Sequence, residues 1–140
     1  MNDLKRFLDA QERDYREALT EIKSGRKRSH WMWYIFPQIA GLGFSSTSKF
    51  YAIKDRAEAE NYLAHPVLGE RIVEISTALL EIEEKTANQI FGSPDDAKLK
   101  SSMTLFGALE NTNPVFQRVL DKYFGGERDQ RTLKLLLGQD

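Results

Sequence analysis

The chain has 140 residues, of which 41% are hydrophobic and 29% charged, and 20 basic against 21 acidic residues leave a formal net charge of -1. That length suits one domain spanning 1–140 whose core needs neither metal nor disulfide, and the balanced charge argues against a global attraction to nucleic acid or anionic membrane. With no cysteine, thiolate catalysis, disulfides and cysteine-ligated metals are excluded, and two histidines are too few for a histidine-rich metal site.

Leu4, Phe7, Leu8, Tyr15, Ala18, Leu19 and Ile22 recur at three- and four-residue spacing with charges between them. This predicts a first helix capped by Asp3 and stopped at Ser24-Gly25. The opening residues run straight into that pattern without an apolar leader, and the apolar run from Trp31 to Phe36 is far too short to span a bilayer. A cytoplasmic location without membrane contact is therefore expected.

Between Arg26 and Ile53 the pattern changes. A basic cluster (Arg26, Lys27, Arg28) leads into the aromatic block His30-Trp31-Met32-Trp33-Tyr34-Ile35-Phe36, then Pro37-Gln38 and a glycine- and serine-rich stretch from Gly41 to Ser48. Phe36 precedes proline and is biased to extended backbone, so a helix through the aromatics should end by Ile35. A short strand is the alternative, but no partner strand is apparent, and the short helix is preferred.

Helix punctuation resumes at Asp55, which with Glu58 resembles a capping box for a helix from Arg56 to Ala64. His65-Pro66, Ser93-Pro94 and Asn113-Pro114 each put proline where a first helical residue would sit. These open helices expected to run to Lys85, to about Leu109 and to Phe124, the last stopped by Gly125-Gly126. Asp129 caps a final helix carrying Leu133, Leu136 and Leu137. The expected fold is all-α: about six main helices around one core, with the aromatic and Gly-Ser insert after the first.

The insert holds most of the residues suited to chemistry. Buried, the aromatics would simply plug the core. Exposed, Trp31 and Trp33 would form a stacking wall for a planar ligand, with cations, Gln38 and backbone N–H groups for its phosphate. Gly41, Gly43 and Ser45 suggest a phosphate-holding turn, although neither P-loop spacing nor a dinucleotide fingerprint is present, and a solvated turn is the plainer reading. On the helix expected after Pro94, Asp95, Lys98 and Ser102 share a face, as do Lys98 and Ser101. With Thr104 they form either an ordinary polar face or a lysine and hydroxyls aimed at an anion. His30 has the intrinsic pKa of a general base, but a histidine beside tryptophans is more often a hydrogen-bonded core residue. His65 reads as a helix cap. No Ser/His/Asp triad or HExxH motif can be assembled, and no acid–base pair stands out among carboxylates placed on solvated faces. Reaction, cofactor and metal therefore stay unassigned.

The runs HWMWYIFPQ (30–38), Gly41-Leu42-Gly43-x-Ser45, Glu58-Ala59-x-x-Tyr62-Leu63-x-His65-Pro66 and Lys98-x-x-Ser101-Ser102-Met103-Thr104-Leu105-Phe106 resemble a bacterial family, domain of unknown function 1810. The resemblance extends over nearly the whole chain, through Phe91-Gly92, Asp95 and the closing Gly126-x-x-Asp129-x-x-Thr132-Leu133. It implies a compact multihelical fold and no established reaction. Members are sometimes labelled calpastatin, yet inhibitors of that type are long and disordered, unlike these regular apolar stripes. A distant likeness to the ADP-ribose-linked NADAR families is an analogy of motif type alone.

Two functions are left by this reading. One is a pocket for a nucleotide-like or phosphate-bearing small molecule, an ADP-ribose-related one included. The other is a non-catalytic module that binds a protein partner. The first requires Trp33 and Lys98 to meet in space.

Overall fold

The computed structural model describes residues 4–138. Nine helices are present among them: α1 (Lys5–Lys23), α2 (Met32–Ile35), α3 (Ser46–Tyr51), α4 (Arg56–Ala64), α5 (Pro66–Leu80), α6 (Ala87–Phe91), α7 (Asp95–Gly107), α8 (Val115–Phe124) and α9 (Gln130–Leu137). The all-α expectation stands at the level of a mostly helical fold, but the helix number is nine, not about six. No helix among the described residues is long and apolar enough to cross a membrane.

Six of the nine follow the punctuation of the sequence. The Asp55 carboxylate accepts the Glu58 N–H and opens α4, His65 Nδ1 accepts from Val67 and Leu68 ahead of α5, and Asp129 accepts from Thr132 at the start of α9. Pro94 and Pro114 sit just outside α7 and α8 as their N-caps, not inside the first turn. The proposed cap Asp3 lies outside the described residues.

The other three helices are short: α2 is the helix preferred for the aromatic block and ends at Ile35, ahead of Phe36-Pro37, while α3 and α6 have no counterpart among the expected elements. In α3, the Ser45 side chain accepts the Ser48 N–H, so the last three residues of the glycine–serine stretch, Ser46 to Ser48, are helical. Thr86 and Gln89 form a full capping box that opens α6. The helix expected to reach Lys85 stops at Leu80 because α8 takes its free carbonyls: Lys122 Nζ donates to Leu80 O at 2.7 Å and Tyr123 Oη to Leu79 O at 2.6 Å. With those acceptors satisfied from outside, no further helical turn is needed to pair them. Ile82 is nevertheless buried, as its place in the apolar stripe requires.

Helix α7 is the axis of the fold. Every residue from Ser101 to Gly107 is buried, as expected for a helix with neighbours on all sides. It packs on α8, α6, α9 and α4, while α5 bridges α8, α4 and α1.

The insert is pinned to α1 by polar contacts. Gln11 Nε2 donates to Tyr34 O at 2.8 Å and to the Tyr62 hydroxyl at 2.9 Å, wholly inside the protein. The Arg6 guanidinium donates to Phe50 O and Ala52 O, each at 2.8 Å, and pairs with Glu58 at 3.0 Å. One parallel bridge joins Ile39 to Ile53, with Ile53 N–H donating to Gln38 O and Ala40 N–H to Ile53 O at 2.8 Å each. The bridge closes the insert on itself at Ile39, beyond the aromatic block, which is helical as preferred and pairs with no strand. These contacts hold Gln38 and the glycine loop beside α7.

Candidate functional site

The two tryptophans part company at α2. Successive helical residues are rotated by about 100°, so Trp31 and Trp33 point to different sides of the segment. Trp31 is 1% exposed and packs against Phe36 and Phe91. Its Nε1 donates to Glu21 Oε1 at 2.9 Å. That carboxylate also accepts from Arg28 N at 2.7 Å, Ser29 N at 3.0 Å and Ser29 Oγ at 2.6 Å. Burial by itself would raise the Glu21 pKa, but the hydrogen bonds from Ser29, Arg28 and Trp31 outweigh it and hold the group down at about 2. Glu21, which nothing in the sequence singles out, is a buried anchor and not part of a solvated helix face.

Trp33 is half-buried and faces outward. The Lys98 ammonium lies over its ring, 5.2 Å from the centroid, so the aromatic segment and α7 do meet. They bound a cleft of about 450 Å³ lined by Gln38, Leu42, Gly43, Ser48, Pro94, Ala97, Lys98, Lys100, Ser101, Asp129 and Arg131. A second, smaller chamber of about 100 Å³ lies against it, lined by Trp33, Gln38, Ile39, Ala40, Gly41, Gly43, Ser48, Lys49, Tyr51 and Ala52. Gln38, Gly43 and Ser48 line both.

Three cations face the larger cleft against a single carboxylate, and that carboxylate is occupied. Asp129 caps α9 through Thr132 N–H at 3.0 Å, accepts the Thr132 hydroxyl, and receives Ser101 Oγ at 3.3 Å. Lys98 has only a long contact to Asp95, 3.5 Å, and Asp95 is held more closely by the nearly buried Lys27 at 2.9 Å. Lys100 pairs with the exposed Glu127. Arg131 makes no side-chain hydrogen bond or ion pair among the described residues. Asp95 and Glu127 offset Lys98 and Lys100, so the unpaired charge at the cleft is that of Arg131, and an unpaired cation at a partly enclosed surface favours an anion.

Of the sequence-derived candidates, Trp33, Gln38, Gly41, Gly43, Lys98 and Ser101 line one or both cavities, and five do not. Trp31 is sealed in the core as described. His30 is exposed, neither in the core nor at a cavity. Ser45 is exposed and occupied as the α3 cap. Thr104 is buried, donating to Lys100 O at 2.8 Å and accepting the Asp129 N–H at 2.9 Å, which fastens α9 to α7. Ser102 is buried with no hydrogen-bond partner for its hydroxyl. Nor does the basic cluster reach this cleft: Arg26 and Lys27 line a separate cavity with Lys85 and Asn88.

The glycines have conformational reasons of their own. Gly41 has φ +105°, and a Cβ there would lie 3.1 Å from Leu135 Cδ2; a Cβ on Gly43 would stand 2.6 Å from Ser48 Cβ. Only glycine permits that backbone and that approach of α3. The cleft residues missed from the sequence are Lys100, Asp129, Arg131, Ser48 and Tyr51. The i, i+2 step from Lys98 to Lys100 gave no sign of a shared cleft, and nothing local ties α9 to α7.

The fold and site define a class: a helical protein with a cation-lined cleft beside a half-exposed tryptophan. The family model for the protein of unknown function DUF1810 matches residues 1–136, and the chain belongs to that family. Among solved structures, it is similar to the conserved hypothetical protein Rv1873 from Mycobacterium tuberculosis, with 46% sequence identity over 97% of each chain and a TM-score of 0.95. No curated protein matches.

Proposed function

We propose that the chain binds a nucleotide-like, phosphate-bearing small molecule in the cleft between the insert and helices α7 and α9. One observation carries the reading: Lys98, which lies over the Trp33 ring, lines a cleft together with Lys100 and with Arg131, a cation that has no ion-pair partner among the described residues. The tryptophan supplies a ring face, and Lys98, Lys100 and Arg131 supply the charge for phosphate. No acid–base pair accompanies them, so the proposal is binding and names no reaction.

Lys98→Met separates this role from a structural one. Titration calorimetry with inorganic pyrophosphate should show binding to the wild-type chain, weakened at least tenfold in the variant, equivalent to about 1.4 kcal/mol. Because the Asp95 contact is long and partly solvated, thermal stability should change by less than about 1 kcal/mol. Unchanged pyrophosphate affinity would refute the proposal. A loss of roughly 3–5 kcal/mol in stability would instead mark Lys98 as half of a structural ion pair.

A further inference from the structure

The larger cavity, a basic trough, adjoins the small chamber, and each holds a cation without a partner. In the trough it is Arg131. On the chamber wall it is Lys49, which makes no side-chain hydrogen bond or ion pair among the described residues. No carboxylate lines the chamber, and Gln38, Gly43 and Ser48 line both cavities. Resting on the proposed anion site, we infer that the small chamber is a second oxyanion subsite. The ligand then carries two acidic groups, one held in the trough and a compact one, phosphoryl or carboxylate, held beside Lys49.

Size limits the second group. The chamber holds about 100 Å³. That is less than the roughly 150 Å³ of an apolar cavity that takes one benzene ring, yet several times the roughly 10–15 Å³ that one water needs. A head group of a few heavy atoms matches it, and a ring does not.

The wall supplies donors for such a group. The N–H groups of Gly41, Leu42, Gly43 and Phe44 donate to nothing among the described residues, and Gly41 and Gly43 line the chamber. Ser45 Oγ donates to Ser48 Oγ at 2.8 Å, which leaves the Ser48 proton for another acceptor. The Gln38 side-chain amide is also without a partner among the described residues. An ammonium, a hydroxyl, an amide and consecutive backbone N–H groups all donate to an oxyanion. The apolar walls of Trp33, Ile39 and Tyr51 exclude water from one side, which strengthens such bonds.

Calorimetry on the full chain with matched ligand pairs tests this: AMP against adenosine 3′,5′-bisphosphate, fructose 6-phosphate against fructose 1,6-bisphosphate, and glycerol 3-phosphate against 3-phosphoglycerate. The first two pairs add a phosphoryl group at different spans, and the third adds a carboxylate. In at least one pair the two-headed ligand should bind at least tenfold more tightly than its single-headed match, and the pair that gains tells phosphoryl from carboxylate. Lys49→Met should erase that gain while leaving the single-headed ligand within twofold of wild type. Lys49 is exposed, so the variant should melt with the wild type. Arg28→Met removes an exposed charge on the Trp31 side and should leave the gain intact. No gain in any pair, a gain that survives Lys49→Met, or one that Arg28→Met erases equally overturns the inference. Single-headed phosphates and pyrophosphate binding with no gain from a second group would sink this inference and leave the anion site standing; no binding by any phosphate would sink both.

Discussion

Trp31 and Trp33 lie two residues apart, and each has a lysine over its ring: Lys27 at 5.0 Å and Lys98 at 5.2 Å from the respective centroids. The two lysines share Asp95. Around Trp31 every polar group is answered. Its N–H meets Glu21, Glu21 accepts four hydrogen bonds, and the Lys27 side chain, 8% exposed, holds both Asp95 and Ser29 O. Around Trp33 the groups are left open: Lys98 is 23% exposed with one long ion contact, and the Gln38 amide is uncommitted. The same residue types therefore serve cohesion on one side of α2 and offer unspent hydrogen bonds on the other. Satisfied polar groups stabilise a fold, and unsatisfied ones at a cavity are available to a ligand.

The sharpest way to break this contrast is to truncate each ring in turn. Trp31→Ala should cost about 3–5 kcal/mol in denaturant unfolding, since it empties a packed site and strands Glu21. Trp33→Ala should cost about 1 kcal/mol while abolishing ligand stacking. Equal costs would mean that both rings are core.

Acid probes the closed side. The folded-state pKa of Glu21 is lowered from 4.5 to about 2, so its contribution to stability is complete above about pH 4.5 and is lost as the pH falls toward 2. Unfolding free energies measured from pH 6 to pH 2.5 should decline through that window, and Glu21→Gln should start lower and decline less. Parallel curves for the two proteins would remove Glu21 from the account.

The smallest effects belong to two exposed arginines. Arg131 faces the cleft, so Arg131→Ala should weaken pyrophosphate binding roughly threefold, about 0.7 kcal/mol, with the effect fading at high salt and Tm unchanged. Arg28, on the Trp31 side, serves Glu21 through its backbone N–H; Arg28→Ala should alter neither quantity. Matching effects of the two substitutions on binding would show that the anion responds to net charge and not to the cleft.

These results also bear on what the sequence could disclose. Asp55 marks the start of α4 and His65-Pro66 its end to the residue, because capping is a local interaction, although the Glu58 carboxylate turns to the Lys54 N–H and Arg6 and not back to the Asp55 N–H. The full capping box at Thr86 and Gln89 is masked in the sequence by the apolar stripe after Pro66, which continues to Ile82. What ends α5 is contact with Lys122 and Tyr123, some 40 residues away in the chain, and no periodicity reports that. In the site, the mixture of aromatic, amide, hydroxyl and lysine correctly drew attention to Trp33, Gln38 and Lys98 as residues that meet. It could not say which tryptophan turned inward, since the answer depended on Glu21 at the end of α1. Arg131 joins the cleft because Thr104 and Ser101 fasten the start of α9 to α7 through Asp129.

The most direct test uses the fact that the chain has two tryptophans, which give two indole N–H signals in a proton–nitrogen correlation spectrum. Ribose 5-phosphate, titrated into the labelled chain, should shift the Trp33 indole signal progressively to saturation while the Trp31 signal, bonded to Glu21, stays in place. Assignment follows from loss of one peak in Trp33→Phe. Movement of the Trp31 signal together with or in place of Trp33, or no movement of either, would contradict the division between a closed tryptophan and an open one.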